Sequence, residues 1–195
     1  FPEQAVNWDF ITEKIEKANR PVSVLNLFAY TGGATMACAA AGAQEVVHVD
    51  AAKGMVQWAK ENMVLSHLED RRIRFIVDDV LKFVAREKRR GRTYHAIIMD
   101  PPSYGRGPKG EIWKIEEQLY PLVSACLDIL DPHPLFFLIN SYTTGFPASV
   151  LRNILSSTVL RRHPAGKVEA GEIGLPISAS DMILPCGIYG RWIEE

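Results

Sequence analysis

Short apolar runs alternate with helix-length segments along most of the chain, and this rhythm constrains the fold more than any other feature. Residues 22–28, 46–49, 73–77, 96–99 and 135–139 are brief and rich in Val, Ile, Leu and Phe, the composition of strands buried on both faces. The stretches between them carry helical signals. An Ala-rich segment follows Gly33 and stops at Gly42, a second runs over residues 53–65, and a third covers residues 80–90 before Gly91. A longer segment leads to a helix ending near Leu130 and starting or kinking at Pro121. Pro147 suits the first residue of a helix through Leu160. Before the first strand, Trp8, Ile11, Ile15 and Ala18 recur at helical spacing over residues 4–18.

Strands alternating with helices predict an α/β domain with a doubly wound, mainly parallel sheet. The tail differs. Residues 167–173 and 182–188 are extended stretches joined by a short loop, which predicts an antiparallel hairpin at one sheet edge. In such sheets ligands bind beyond the carboxyl ends of the strands, where strand order reverses. The ends of the first four strands are therefore the places to look for chemistry.

The first strand runs into Tyr30-Thr31-Gly32-Gly33, a turn that lets backbone N–H groups approach a ligand. The G-x-G-x-x-G pattern of dinucleotide sites is absent, which counts against a nicotinamide oxidoreductase. Asp50 ends the second strand, where a carboxylate can accept from ribose hydroxyls or cap the next helix. Asp78-Asp79 ends the third; Asp79 is favoured for an adenine amino group, with one of the pair left to cap a helix. The three features come in order at three consecutive strand ends, which is more specific than any one alone.

Asp100-Pro101-Pro102-Ser103-Tyr104 follows the fourth strand, offering a carboxylate, a prolyl carbonyl and an aromatic ring to a planar acceptor. The next six residues, with Arg106 and Lys109, read as an exposed, flexible, basic loop suited to a polyanion, and Trp113 and Lys114 could pack or clamp it. With a formal net charge of -1, nucleic-acid binding must come from such local patches. Basic clusters at residues 71–74, 86–92 and 161–163 read as solvated surface. Cys38, Cys126 and Cys186 are scattered without metal-ligand spacing, so the expectation is a cytoplasmic protein with reduced thiols and no metal. No apolar run is long enough for a membrane span and no signal peptide is visible. The length fits one domain, and Phe1 in place of a start methionine leaves room for a missing partner domain.

VLNLFAYTGGAT, VVHVDAAKGMVQWAKEN, FIVDDVLKF, AIIMDPPSYGRGPKGEIW and LFFLINSYTTGF together resemble the class I S-adenosylmethionine-dependent methyltransferases. More narrowly they are similar to the RNA large-subunit methyltransferase group, and FPEQAVNW is similar to the segment before the first strand there. The resemblance implies a Rossmann-like fold, a mainly parallel seven-stranded sheet with an antiparallel C-terminal hairpin, and S-adenosylmethionine as cofactor. It places the methionine moiety near Tyr30, Thr31, Gly32 and Gly33, ribose on Asp50, adenine near Asp79 or Asp78, and Gln4 against the cofactor from outside the sheet. It places the acceptor near Asp100, Pro101, Ser103 and Tyr104, with RNA, ribosomal RNA above all, as partner; the loop reading above sets Arg106 and Lys109 beside it. Relatives often carry an additional N-terminal RNA-binding domain.

One departure bears on the reaction. Cytosine-5 members of the group use a Thr-Cys step after the fifth strand, whereas this chain has Asn140-Ser141-Tyr142-Thr143-Thr144. Carbon-5 transfer needs a nucleophile that this place does not supply. The expected acceptor is a base nitrogen, or less readily an oxygen. The competing readings are a small-molecule or protein methyltransferase and a non-catalytic RNA-binding module.

Overall fold

The computed structural model describes residues 1–106 and 112–195. A short 3-10 turn, Pro2–Gln4, leads into α1 (Ala5–Lys17). The alternating part then runs β1 (Ser23–Leu27), α2 (Gly33–Ala40), β2 (Glu45–Asp50), α3 (Lys53–Leu65), β3 (Ile73–Val77), α4 (Val80–Arg89) and β4 (Ala96–Met99). After β4 come β5 (Tyr104–Arg106), β6 (Ile112–Lys114), α5 (Ile115–Cys126), β7 (Phe136–Ser141), α6 (Ala148–Leu155), β8 (Gly166–Pro176) and β9 (Ile183–Glu194).

Seven strands form one sheet in the order β3-β2-β1-β4-β7-β9-β8, with β5 and β6 apart as a two-stranded ribbon. The first five are parallel; β9 is antiparallel to β7 and to β8. The expected parallel sheet with a closing antiparallel hairpin is thus present. Alternate strand residues serve opposite layers. Leu25, Leu27, Val47, Ile97 and Phe137 pack with α4, α5 and α6, while Val24, Val46, Ile98, Phe136 and Leu138 pack with α1 and α2. Chain order reverses between β1 and β4, so their carboxyl ends diverge and open a crevice.

Several boundaries depart from the sequence reading. The residues after Pro102 are not a plain loop: Tyr104 to Arg106 pairs antiparallel with Ile112 to Lys114, and Lys109 lies outside the described residues. Pro121 does not start its helix but sits inside α5, where only the kink alternative stays open. Pro147 is the residue before α6 rather than its first, and the helix gives way to a π-turn at Ser156–Leu160. The last strand continues well beyond Ile188, because Tyr189 to Ile193 pairs with β7 as well as with β8. No described helix is long and apolar enough to cross a membrane.

Candidate functional site

A cavity of about 1330 Å³ opens at the carboxyl ends of β1, β2 and β4. Drug-sized ligand pockets run from about 300 to 1,000 Å³, so the space exceeds what one such ligand fills. Residues 30–33, Gln4, Asp50, Asp79, Asp100, Pro101, Ser103 and Arg106 all line it. Most of the residues singled out in the sequence thus meet at one place. Asp78 and Tyr104 are not on the wall. Asp78 pairs with Arg86 at 2.5 Å, and the exposed Tyr104 accepts a hydrogen bond from Arg106 Nε at 3.0 Å.

The turn after β1 is tightly wound. Phe28 and Tyr30 hold positive φ of 54° and 49°, and Gly32 follows at 85°. Non-glycine residues pay about 1–2 kcal/mol for that conformation, so something must hold it. Asp50 does so from β2. Its Oδ2 accepts from the Tyr30 N–H at 2.9 Å and its Oδ1 from the Ala52 N–H at 2.8 Å. Asn62 of α3 adds a bond to the Thr31 carbonyl at 2.9 Å. Below the turn, Asn26 donates to Thr35 Oγ1, which meets His48 Nδ1 at 3.0 Å. Burial keeps the His48 pKa down to about 4, so this imidazole is neutral and ties the first turn of α2 to β2.

Gly32 caps α2 with no side-chain hydrogen bond, leaving the helix's first N–H groups for an anion at the cavity wall. Asp79 caps α4 instead, its Oδ1 accepting from the Lys82 N–H at 2.9 Å. Gly33 is required for close packing, since a Cβ there would lie 2.7 Å from Trp8 Cζ2. The indole of α1, itself on the cavity wall, rests directly on the glycine. Gly33→Ala is expected to cost about 1–3 kcal/mol through overpacking and to loosen α1 from the cavity. Thermal melting checks it, and an unchanged midpoint would mean that Trp8 repacks without cost.

Asp100 follows β4 directly and lies on the cavity wall, and no described residue donates a hydrogen bond to it. Burial raises its pKa from the usual carboxylate range to about 7, against the pull of the Phe1 ammonium and with a smaller push from the Glu3 carboxylate. Pro101 is buried beside it. The Pro102 carbonyl accepts from Trp113 Nε1 at 2.6 Å, and the Ser103 hydroxyl meets Thr143 Oγ1 at 2.7 Å. Trp113 also packs against Phe28, so it is both core anchor and clamp for the turn.

Sequence reasoning missed a buried polar network on the acceptor side. Arg191 of β9 donates to Asn7 Oδ1 at 2.7 Å, and Asn7 donates to Asn140 and to Gln4, both at 2.9 Å. Gln4 then donates to the Tyr142 hydroxyl at 2.6 Å, which itself donates to Glu3 at 2.9 Å. Gln4, Asn140 and Tyr142 thereby share the wall with Asp100. Cys38 and Cys126 are fully buried, and burial pushes both thiols up. Cys186 sits on β9 off the cavity wall, bonded to the Leu184 carbonyl. Among the described residues no cluster could hold a metal ion.

Sheet order, strained turn and carboxylates at successive strand ends define the class of α/β domains that hold an adenosyl group above the sheet. A family model for S-adenosylmethionine-dependent methyltransferases matches residues 9–119, and the chain belongs to that family. Over its whole length it superposes on a SAM-dependent methyltransferase from Agrobacterium tumefaciens, at TM-score 0.92 and 39% identity, covering 63% of that chain. It is 31% identical over 134 residues to ribosomal RNA large subunit methyltransferase K/L of Shewanella frigidimarina (strain NCIMB 400), covering 68% of this chain and 18% of that protein. It is 36% identical over 81 residues to ribosomal RNA large subunit methyltransferase I of Cronobacter sakazakii (strain ATCC BAA-894), covering 42% and 20%. The chain thus spans about a fifth of these curated relatives.

The residues present fit the family's cofactor. An uncapped helix terminus suits its carboxylate, and Asp50, with one lone pair used on each oxygen, can still accept from hydroxyls.

Proposed function

We propose that this domain transfers a methyl group from S-adenosylmethionine to a nitrogen of an RNA base, in ribosomal RNA. The observation that carries the reading is Asp100. It is a cavity-wall carboxyl to which no described residue donates, in space larger than one ligand needs, and burial lifts its pKa toward neutrality. The bound cofactor supplies an electrophilic methyl group. The chain's own residues do the rest. The turn at Tyr30, Thr31, Gly32 and Gly33 with the start of α2 holds the carboxylate end, Asp50 the ribose and Asp79, through its free oxygen, the adenine edge. Asp100 accepts a hydrogen bond or a proton from the acceptor nitrogen, and the Pro101 carbonyl helps fix its plane. Tyr142, anchored by Gln4 and Glu3, is better seated than Tyr104 to bound the acceptor space. Gln4 acts through Tyr142 as a positioning residue.

RNA as the acceptor is supported by the names of the relatives and by Arg106 at the rim, with Lys109 expected to join it. Unpaired cysteines fit a cytoplasmic setting. A longer protein with an N-terminal RNA-binding domain fits the short span on the relatives. Nitrogen rather than carbon is favoured because no thiol reaches the wall.

The test is incubation with labelled S-adenosylmethionine and total RNA from a deletion strain, followed by nucleoside mass spectrometry. Label on a base nitrogen is the expected result. Label only in protein or small molecules would remove the RNA assignment, and binding of RNA without any transfer would favour a non-catalytic module. A variant with all three cysteines changed to alanine should still transfer; loss with cofactor binding intact would restore a carbon acceptor.

A further inference from the structure

At the amino ends of β2, β3 and β4, away from the cofactor cavity, two basic segments distant in sequence converge. One is Arg71-Arg72-Ile73-Arg74 at the start of β3. The other runs from Arg86 to Arg92 over the end of α4 and its turn. They contain eight of the chain's 22 Lys and Arg residues; Arg71, Arg86 and Lys88 pair with Asp70, Asp78 and Asp128, so the local excess of positive charge rests on the arginines between them.

A second cavity, of about 240 Å³, lies between them, walled by Arg72, Arg74, Arg90 and Arg92 over Glu45 and Glu87. The carboxylates are buried, at 5% and 1% exposure, while the Arg72 and Arg90 side chains are 66% and 54% exposed. Arg72 Nε sits 3.1 Å from Glu45 Oε1 and Arg90 NH1 donates to Glu87 at 2.9 Å. Arg92 pairs with both glutamates, and the Tyr94 hydroxyl donates to Glu87 at 2.6 Å. Four guanidiniums over two carboxylates leave an excess of two positive charges. Each guanidinium has five donors and the glutamates occupy only a few. Hydrogen bonds to the buried acids fix the Arg90 and Arg92 guanidiniums, while Arg72 and Arg74 stand beside Glu45 as ion pairs. Preorganised guanidinium forks of this kind match phosphate geometry.

Along α4, Lys82, Arg86 and Arg90 recur at four-residue spacing and share one face. Lys82 stands on the cofactor cavity and Arg90 on the arginine cavity, so the basic face spans the edge of the domain. We propose that the cradle of Arg72, Arg74, Arg90 and Arg92 binds backbone phosphates of an RNA stem flanking the target nucleotide. The proposal rests on the RNA reading above and adds a contact remote from the acceptor.

The experiment is anisotropy with a fluorescein-labelled RNA hairpin of a 12-base-pair stem, titrated from low to moderate salt against the wild type and R72Q/R90Q. Cofactor affinity and the melting midpoint of both are measured alongside. The double variant is expected to bind about tenfold more weakly, with a salt slope shallower by about two, because each lost phosphate contact removes about 0.9 from it. Cofactor affinity should not change. Wild-type affinity and slope in R72Q/R90Q overturn the cradle while leaving RNA as substrate. A wild type that ignores the hairpin overturns both readings, and binding to phosphatidylserine vesicles without hairpin binding overturns the cradle in favour of a membrane surface. If the glutamine variant melts before assay, R72K/R90K decides, since it keeps both charges beside Glu45 and Glu87. It should bind more weakly with an unchanged slope, for lysine lacks the fork; undiminished affinity there overturns the cradle.

Discussion

Asp100→Asn is expected to lower the transfer rate by about a hundred- to ten-thousandfold, the span of a lost general base. The amide keeps the shape of the carboxyl but cannot take a proton from the acceptor. Cofactor affinity should fall little, because the turn after β1, Asp50 and Asp79 are untouched. Calorimetric titration and single-turnover assay on the unmodified substrate RNA separate the two quantities. Normal turnover by a folded Asp100→Asn protein would falsify the assignment.

The same carboxyl makes a pH prediction. With its pKa raised to about 7, Asp100 is protonated in the folded chain over a range where the unfolded chain has lost the proton. The stability it contributes is full below the ordinary pKa of 3.8 and is lost as pH rises through about 7. Between those limits the contribution is of the order of 4 kcal/mol at about 1.4 kcal/mol per pH unit. The wild type should therefore melt lower at pH 8 than at pH 5.5 relative to Asp100→Asn. Activity runs the other way: transfer efficiency should rise through about pH 7 as the base form appears. Parallel melting of the two proteins across that range would show the carboxyl to be more solvated than its position implies.

How far these properties could be read from the sequence depended on the distance over which they are written. The five parallel strands are local signals, since strands covered on both faces must be apolar nearly throughout, as Phe136 to Ile139 shows. Asp50, Asp79 and Asp100 were equally legible, because a strand end fixes a residue's place at the sheet rim. The β5–β6 ribbon was not, for three-residue strands built on Tyr104-Gly105-Arg106 carry no alternation. Pro121 does not start its helix because its missing N–H forfeits only one bond, while Leu119, Leu122 and Val123 bury the helix on either side of it. The Gln4–Tyr142 bond joins residues 138 apart. Two arginine clusters that looked like separate solvated faces meet only because β2 and β3 are neighbours and α4 runs back beside them. Periodicity reports what an element buries, not which distant charge it will face.

Asp50→Ala is expected to weaken both S-adenosylmethionine and the demethylated product by about ten- to a hundredfold. A hydrogen bond to a charged acceptor contributes about 1.5–3 kcal/mol, and tenfold in affinity corresponds to about 1.4 kcal/mol. Two losses combine here. On the proposed assignment the ribose hydroxyls lose their acceptor, and the Tyr30 and Ala52 N–H groups lose the carboxylate that now holds them. With Tyr30 at a φ of 49°, the unpinned turn should relax toward ordinary geometry and pull N–H groups away from the cofactor carboxylate. Asp50→Asn distinguishes the two. Its one carbonyl oxygen can keep a single backbone bond, so its melting midpoint should stay near that of the wild type while its affinity falls. The measurement is calorimetric titration of both ligands into wild type, Asp50→Asn and Asp50→Ala, with thermal melts of the free proteins. Full affinity in Asp50→Asn would assign the residue to the turn alone and move the ribose contact elsewhere on the wall. An affinity loss confined to S-adenosylmethionine would point instead to the carboxylate acting on the cofactor's positive charge.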